Sequence, residues 1–253
     1  MRGALAALYS AAVYIFFLAT FVYLILFVEG IVVPKSIDTG TPGDLWLSLA
    51  INAGLLGVFA VQHSVMARPA FKKVWTRIVP KEIERSTYVL FASLALALIL
   101  WQWRPLPQTV WSVEDPIAAG AITAVSWSGW ALLLASTFLI SHFHLFGLSQ
   151  GFQRMLGLKE VEDHQFVTPL FYRWIRHPLY AGFILAFWAA PTMSVGHLFF
   201  AVATTGYILI GIWLEERDLV AYFGDRYRQY RATVGMLFPK LGSGRSSQNA
   251  GPK

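Results

Sequence analysis

The chain has 253 residues, of which 56 % are hydrophobic and only 13 % carry a full charge. A soluble domain is usually about 25 % charged, so roughly half of the ordinary solvating groups are missing, and the mean hydropathy of +0.54 agrees. These values exclude intrinsic disorder and an ordinary cytosolic enzyme. The charges fall in short clusters between long apolar runs, which is the pattern of a multi-pass membrane protein. Cysteine is absent, which removes disulfides, thiolate metal sites and a cysteine nucleophile.

A membrane-spanning helix needs about 20 apolar residues to cross roughly 30 Å of hydrocarbon. The first apolar run, 8–28, is longer than a signal-peptide core and is followed by no small-residue cleavage pattern, so it reads as a membrane helix. The runs 45–65, 88–103 and 118–140 supply three more. The run 88–103 is short and needs Tyr88, Trp101 and Trp103 at the interfaces. A fifth apolar region, 179–214, breaks near 191–194. Its first arm, 179–190, is about 18 Å long as helix, too short to cross alone, whereas 195–214 is long enough. The region reads as a tight helical hairpin whose first arm is tilted or incompletely inserted. Downstream, Leu219, Tyr222, Phe223, Tyr227 and Tyr230 recur at helical spacing with Arg226, Arg228 and Arg231 interleaved. This run reads as an amphipathic helix on the inner leaflet, not as a nucleic-acid-binding surface. The stretch 240–253 is rich in helix breakers and reads as a disordered tail. The expected fold is therefore an all-α integral membrane domain over 1–239, with four transmembrane helices, a C-terminal helical hairpin and a cytoplasmic amphipathic helix.

A pI near 9.6 suggests topology before it suggests nucleic acid, because Lys and Arg favour the cytoplasmic side of a membrane. Eighteen of the twenty Lys and Arg residues fall at Arg2, in 67–87, between the fourth helix and the hairpin, and from Glu215 onward. The remaining two loops hold one each, Lys35 and Arg104. Both termini and the two long basic loops are therefore expected inside.

That topology gathers polar residues at one depth. Helix two ends near Gln62, His63 and Ser64; helix three starts with Glu84, Arg85, Ser86, Thr87 and Tyr88; helix four runs to Ser141, His142 and His144. The hairpin starts at Arg176-His177-Pro178-Leu179-Tyr180 and returns to Glu215-Glu216. The outer side offers little beyond Glu29, Glu114 and Asp115. Snorkelling to the headgroups would explain any one of these side chains, but convergence from four helices points to a site. Proline is favoured in the first helical turn, with His177 at the N-cap, and a helix N-terminus suits a carboxylate or phosphate. Two adjacent carboxylates, Glu215 and Glu216, repel unless one meets a cation or a ligand. No metal-ligand spacing accompanies them, so no metal is expected.

His164-Gln165-Phe166-Val167-Thr168, Tyr172, Arg176-His177-Pro178-Leu179-Tyr180, Glu215-Glu216 and Phe223-Gly224-x-x-Tyr227-x-x-Tyr230 occur in this order. The set resembles the isoprenylcysteine carboxyl methyltransferase superfamily of integral-membrane methyltransferases over roughly the C-terminal 80 residues. The resemblance implies an S-adenosylmethionine pocket over about 164–231, formed by His164, Gln165, Phe166, Val167, Tyr172, Arg176, His177, Pro178, Leu179, Tyr180, Glu215 and Glu216. In the carboxyl methyltransferases an Arg one turn before the Glu pair is implicated in substrate binding; here that position is Gly211, which argues against an acceptor carboxylate. The motifs Gln62–Pro69, Glu84–Leu90 and Ser141–Leu148 resemble those of the bacterial methanethiol S-methyltransferases and of the related NnrU-type accessory membrane proteins. The closer resemblance is to the methanethiol enzymes and implies a multi-pass protein of the bacterial inner membrane.

That resemblance implies methyl transfer from S-adenosylmethionine to a small volatile thiol that reaches the site through the lipid bilayer. A thiolate is the better nucleophile, so a base is required, and His63, Tyr88, His142 and His144 are the catalytic candidates. Glu84 or Arg85 would orient the base or hold the donor. Tyr172 and Tyr180 would face the sulfonium. The alternatives are methylation of a lipid or a prenylcysteine carboxylate, or a non-enzymatic NnrU-type accessory role.

Overall fold

The computed structural model describes residues 2–158 and 167–240. Five helices are long and apolar enough to cross a membrane: α1 (Arg2–Glu29), α2 (Leu45–Ala67), α4 (Lys81–Gln102), α5 (Pro116–Ile140) and α9 (Val195–Phe223). Between them lie the short helices α3 (Pro69–Trp75), α6 (His142–Leu145), α7 (Leu148–Leu156) and α8 (Pro178–Trp188), and α10 (Asp225–Thr233) follows α9. The protein is an all-α integral membrane protein, with two short strands, β1 (Thr109–Ser112) and β2 (Thr192–Ser194), among the described residues.

Helix starts follow local chemistry. Asp44 and Asp115 accept hydrogen bonds from the Leu47 and Ala118 amides at 2.8 and 2.7 Å, and Ser194 accepts from the His197 amide at 2.9 Å, satisfying amides that no helical carbonyl reaches. Pro116 and Pro178 occupy the first turns of α5 and α8, where the missing N–H is not needed.

The hairpin forms around the expected break, with α8 as its short arm and β2 in the turn. β2 pairs antiparallel with β1, Trp111 opposite Met193. Two boundaries differ from the sequence reading. The returning arm does not end at Leu214 but continues through Glu215 and Glu216 to Phe223, because nothing in Glu-Glu-Arg-Asp-Leu-Val breaks a helix. Gly224, at φ +59, ends it. Leu219, Tyr222 and Phe223 therefore belong to α9, and the separate helix starts only at Asp225. The run 88–103 is the apolar part of a longer α4, whose polar first turns project beyond it. Of the tail expected over 240–253, residues 241–253 lie outside the described residues.

One end of the bundle collects most of the basic residues. There Gly3 lies against the Arg154 backbone, Arg154 faces Glu82 at 3.4 Å, and Arg68 at the end of α2 pairs with Asp218 of α9 at 2.9 Å. The Ser86 hydroxyl lies 2.8 Å from Ser10 Oγ and 3.0 Å from the Gly147 carbonyl, pinning α4 to α1 and α7. The opposite end is more polar inside than the sequence suggests. Glu29 Oε1 accepts from Ser126 Oγ and Trp130 Nε1 at 2.6 and 2.7 Å, Ser194 donates to Asp38, and Asn52 bridges both backbone groups of Arg104. Toward that end Phe27, Ile99, Trp103, Trp130, Phe187 and Phe200 form the main core cluster.

α8 packs most closely on α5. A Cβ on Gly182 would lie 2.6 Å from the Gly129 carbonyl oxygen and 2.8 Å from Leu133 N, and one on Gly129 would lie 2.7 Å from Ala186 N. All three are backbone atoms and cannot swing aside. Small residues at such crossings let membrane helices approach. Gly182→Ala is expected to force α8 off α5 and to cost about 1–3 kcal/mol, measured by thermal denaturation in detergent.

Candidate active site

Glu216, on α9, sits at the centre of the basic end. Its side chain is 7 % exposed, and that of Arg176 9 %. Arg176 Nε donates to Glu216 Oε1 at 2.7 Å, His177 Nε2 lies 3.1 Å from the same oxygen, and Arg231 Nε lies 3.0 Å from Oε2. Arg176 also donates to the carbonyls of Arg231 and Val234. The chain after α10 runs back beside the start of α8: the Arg176 and His177 amides donate to Gly235 and Met236 at 2.8 and 3.1 Å. Tyr230 Oη donates to the Tyr172 carbonyl at 2.5 Å. Stretches around 172–177, 216 and 230–236 are thereby held as one unit.

Adjacent residues of a helix point about 100° apart, and the two carboxylates divide accordingly. Glu216 is neutralised inside, while Glu215 is 45 % exposed and accepts from Tyr180 Oη at 3.1 Å. His177 Nδ1 is 3.9 Å from Glu215. Burial, with Glu215 and Tyr230 nearby, pushes the Tyr172 phenol above its ordinary pKa. Burial likewise pushes Tyr230 up to about 12, against the pull of Arg176. Both phenols are neutral at physiological pH.

A second cluster lies alongside. Tyr88 Oη is 2.9 Å from Nε2 and 3.0 Å from Nδ1 of His63, joining α4 to α2. Phe59 stacks on the imidazole at 5.2 Å, and Tyr207 of α9 meets it edge-on at 6.5 Å. Ser64 Oγ holds Tyr207 Oη at 3.2 Å. The Arg85 guanidinium lies 4.9 Å over the Tyr88 ring and donates to the Leu145 carbonyl at 2.7 Å. The two clusters share α9, which carries Tyr207 of one and Glu215 of the other. On α9, Tyr207, Gly211 and Glu215 succeed one another at one-turn intervals. A Cβ on Gly211 would meet nothing within 4 Å, so the space between Tyr207 and Glu215 is open.

The structure thus brings together Tyr172, Arg176, His177, Pro178, Leu179, Tyr180, Glu215 and Glu216, and holds His63 and Tyr88 in a second cluster that reaches α9 through Tyr207. Val167 is exposed, and His164, Gln165 and Phe166 lie outside the described residues. His144 is half-buried and borders a recess with Lys72, Lys81 and Glu84. His142 belongs to another cluster. Its Nδ1 is 2.7 Å from Thr137 Oγ1 and its Nε2 is 2.8 Å from Tyr14 Oη, while the ring stacks on Phe138 at 4.2 Å. Neither His63 nor Tyr88 is among these partners. Arg231 and Tyr207 were not singled out from the sequence. Arg231 looks like one charge on an amphipathic face, and Tyr207 stands in an apolar run with no flanking signal.

Glu216→Ala strands two guanidinium groups and is expected to cost about 3–5 kcal/mol, the usual effect of breaking a buried ion pair, seen as a lowered melting temperature in detergent. Thr137 spends its proton on the Leu134 carbonyl, so His142 Nδ1–H donates to Thr137 and Nε2 accepts from Tyr14: the neutral form. Burial holds the His142 pKa below its ordinary value. As pH falls below about 6.5, the unfolded chain takes a proton that the folded one refuses, so stability falls with acidification. His142→Gln is expected to flatten that part of the stability-against-pH curve.

No family model and no solved structure matches the chain. Among curated proteins, Nurim of Pan troglodytes is 30 % identical, the match covering 68 % of each chain. Much nearer are Methanethiol S-methyltransferase 1 of Bradyrhizobium diazoefficiens, 57 % identical over 93 % of this chain and 82 % of its own, and Methanethiol S-methyltransferase of Mycobacterium tuberculosis, 51 % identical over 94 % and 98 %. At such identity over more than nine-tenths of its length, the chain belongs to the methanethiol S-methyltransferase family.

Proposed function

We propose that the chain transfers a methyl group from S-adenosylmethionine to methanethiol, yielding dimethyl sulfide, at the basic end of the bundle, and that this end and both termini face the cytoplasm. The acceptor is the one named for the relatives. The orientation follows the distribution of Lys and Arg. What supports the reading most is that α9 carries Tyr207, which walls His63, and Glu215, which holds Tyr180, on either side of the open space at Gly211.

The residues fit a cationic methyl donor. Glu215 keeps a half-exposed carboxylate beside the phenols of Tyr180 and Tyr172, and carboxylates and aromatic faces both favour positive charge. The first amides of α8, at Leu179 and Tyr180, have no helical carbonyl to meet and suit the donor's carboxylate. His177 and Pro178 set that turn, and Arg176 with Glu216 anchors it. His164, Gln165, Phe166 and Val167 would complete the donor side. When bound, S-adenosylmethionine would supply an electrophilic methyl group to the thiolate sulfur by in-line displacement, the sulfonium sulfur leaving as the neutral thioether of S-adenosylhomocysteine.

His63 takes the thiol proton, and Tyr88 holds its imidazole in place. Arg85, over the Tyr88 ring, fixes the phenol from behind. Phe59 and Tyr207 wall the imidazole with apolar surface, suited to a small acceptor that arrives from lipid. Gly211 offers no cation for a carboxylate. His142, with both ring nitrogens committed to Thr137 and Tyr14, serves packing in this reading, and His144 borders the recess.

Detergent-purified protein given S-adenosylmethionine and methanethiol in a sealed vial is expected to release dimethyl sulfide, followed by headspace gas chromatography. With the donor saturating, His63→Ala is expected to lower turnover about 100-fold or more and Tyr88→Phe about 10-fold, with donor affinity unchanged by calorimetry. Near-normal turnover in both variants would remove the base assignment.

A further inference from the structure

Apart from the proposed methyl-transfer site, the basic end holds a recess of about 320 Å³ formed where α3, α4, α6 and α7 meet the end of α5. Its chemistry is two-sided. Lys72, Lys81 and Arg85 line it; among the described residues neither lysine ammonium has a hydrogen bond or a close ion pair, and Glu84 stands within electrostatic reach of Lys72 and Arg85. Arg85 has committed its Nε to Leu145 and no other N–H to any described acceptor. Beside these cations stand two acceptors with nothing to accept. Oε1 of Glu84 and Oε1 of Gln150 are both buried without a hydrogen-bond partner, and Gln150 is only 8 % exposed while its Nε2 is held by the His144 carbonyl at 3.1 Å. Leaving such oxygens unsatisfied is costly, and native structures contain few of them.

The rim of the recess is apolar on one side. Ile140, at the end of the membrane-spanning α5, lines it and is half exposed. Ser141, also in the lining, has the left-handed φ of +129. That strained backbone turns the chain from α5 into α6 and opens the recess at the level where the membrane helix ends.

We infer that this recess binds a zwitterionic phosphoethanolamine headgroup, the phosphate held by Lys72, Lys81 and Arg85 and the primary ammonium by Glu84 and Gln150. Three cations alone would suit any phosphate, but the two empty acceptors call for N–H donors within the same ligand. A trimethylated ammonium has none, and a glycerol headgroup carries no positive charge. The apolar rim at Ile140 favours a phospholipid as the source, and soluble O-phosphoethanolamine presents the same chemistry. The assignment shares Arg85 with the proposed acceptor side but uses no residue of the donor pocket, and its test reads lipid binding and not methyl transfer.

The test is native mass spectrometry of the delipidated full-length protein titrated with phosphatidylethanolamine, phosphatidylcholine or phosphatidylglycerol of matched chains. Phosphatidylethanolamine is expected to bind one site about tenfold more tightly than the other two, the effect of charge-assisted hydrogen bonds to the ammonium. Lys81→Ala, a change at an exposed side chain, is expected to weaken binding of all three lipids. Glu84→Gln is expected to remove only the preference for phosphatidylethanolamine. Competition by soluble O-phosphoethanolamine would assign the site to the headgroup alone, and its failure to compete would assign it to the whole lipid. Equal affinity for the three lipids in the unaltered protein, or a preference that survives Glu84→Gln, would overturn the inference.

Discussion

A carboxylate removed from water costs several kcal/mol unless charges and hydrogen bonds replace the lost solvent, and the basic end of this protein is organised around one such group. Glu216 draws together Arg176, His177 and Arg231 from two separated stretches. Because Arg176 also caps carbonyls near the end of α10, the start of α8, the last turns of α9 and the returning chain cannot move independently. The neighbouring Glu215 is left open beside Tyr180 by helix geometry alone. One carboxylate anchors and the other stays half exposed beside Tyr180, which resolves the repulsion that two adjacent acidic residues would otherwise suffer.

The short arm of the hairpin makes that anchoring necessary. α8 has 11 residues and is about 16 Å long, too short to be held by spanning the membrane. It is held at its sides and ends instead. Its backbone lies against that of α5 at Gly129 and Gly182, its start is tied to Glu216, and β2 beyond it pairs with β1. Between membrane helices there is little hydrophobic force to gain, and close backbone packing takes over.

Arg85 connects features that otherwise look separate. Its guanidinium lies over Tyr88, its Nε holds the turn at Leu145, and the side chain lines the recess toward Lys72 and Lys81. A charge at the end of a membrane helix is more often a snorkelling group; here it is fixed between an aromatic ring and a backbone carbonyl. The proposed acceptor side thus rests on polar groups at one end and on the apolar faces of Phe59 and Tyr207 at the other.

The spans, the broken hairpin and the grouping of polar residues at one end were legible from hydropathy, helical period and the placement of Lys and Arg. The ordered motifs from His164 to Tyr230 were legible too. These signals are local, since a run of about 20 apolar residues or a proline in a first turn acts on its own neighbourhood. What each polar side chain meets was not legible. That Arg231 faces Glu216, that Tyr207 walls His63, that His142 is consumed by Tyr14 and Thr137, and that Glu29 is satisfied inside the opposite end all depend on how helices are rotated and how closely they cross. The end of α9 shows the same division: Gly224 stood in the sequence within an amphipathic pattern that runs on past it, and only the fold uses its left-handed backbone to part α9 from α10. By itself the sequence determined which segments enter the membrane and which residues reach its basic edge. The tertiary structure alone decided which of those residues touch, because helix rotation and crossing are set by contacts between segments far apart in the chain.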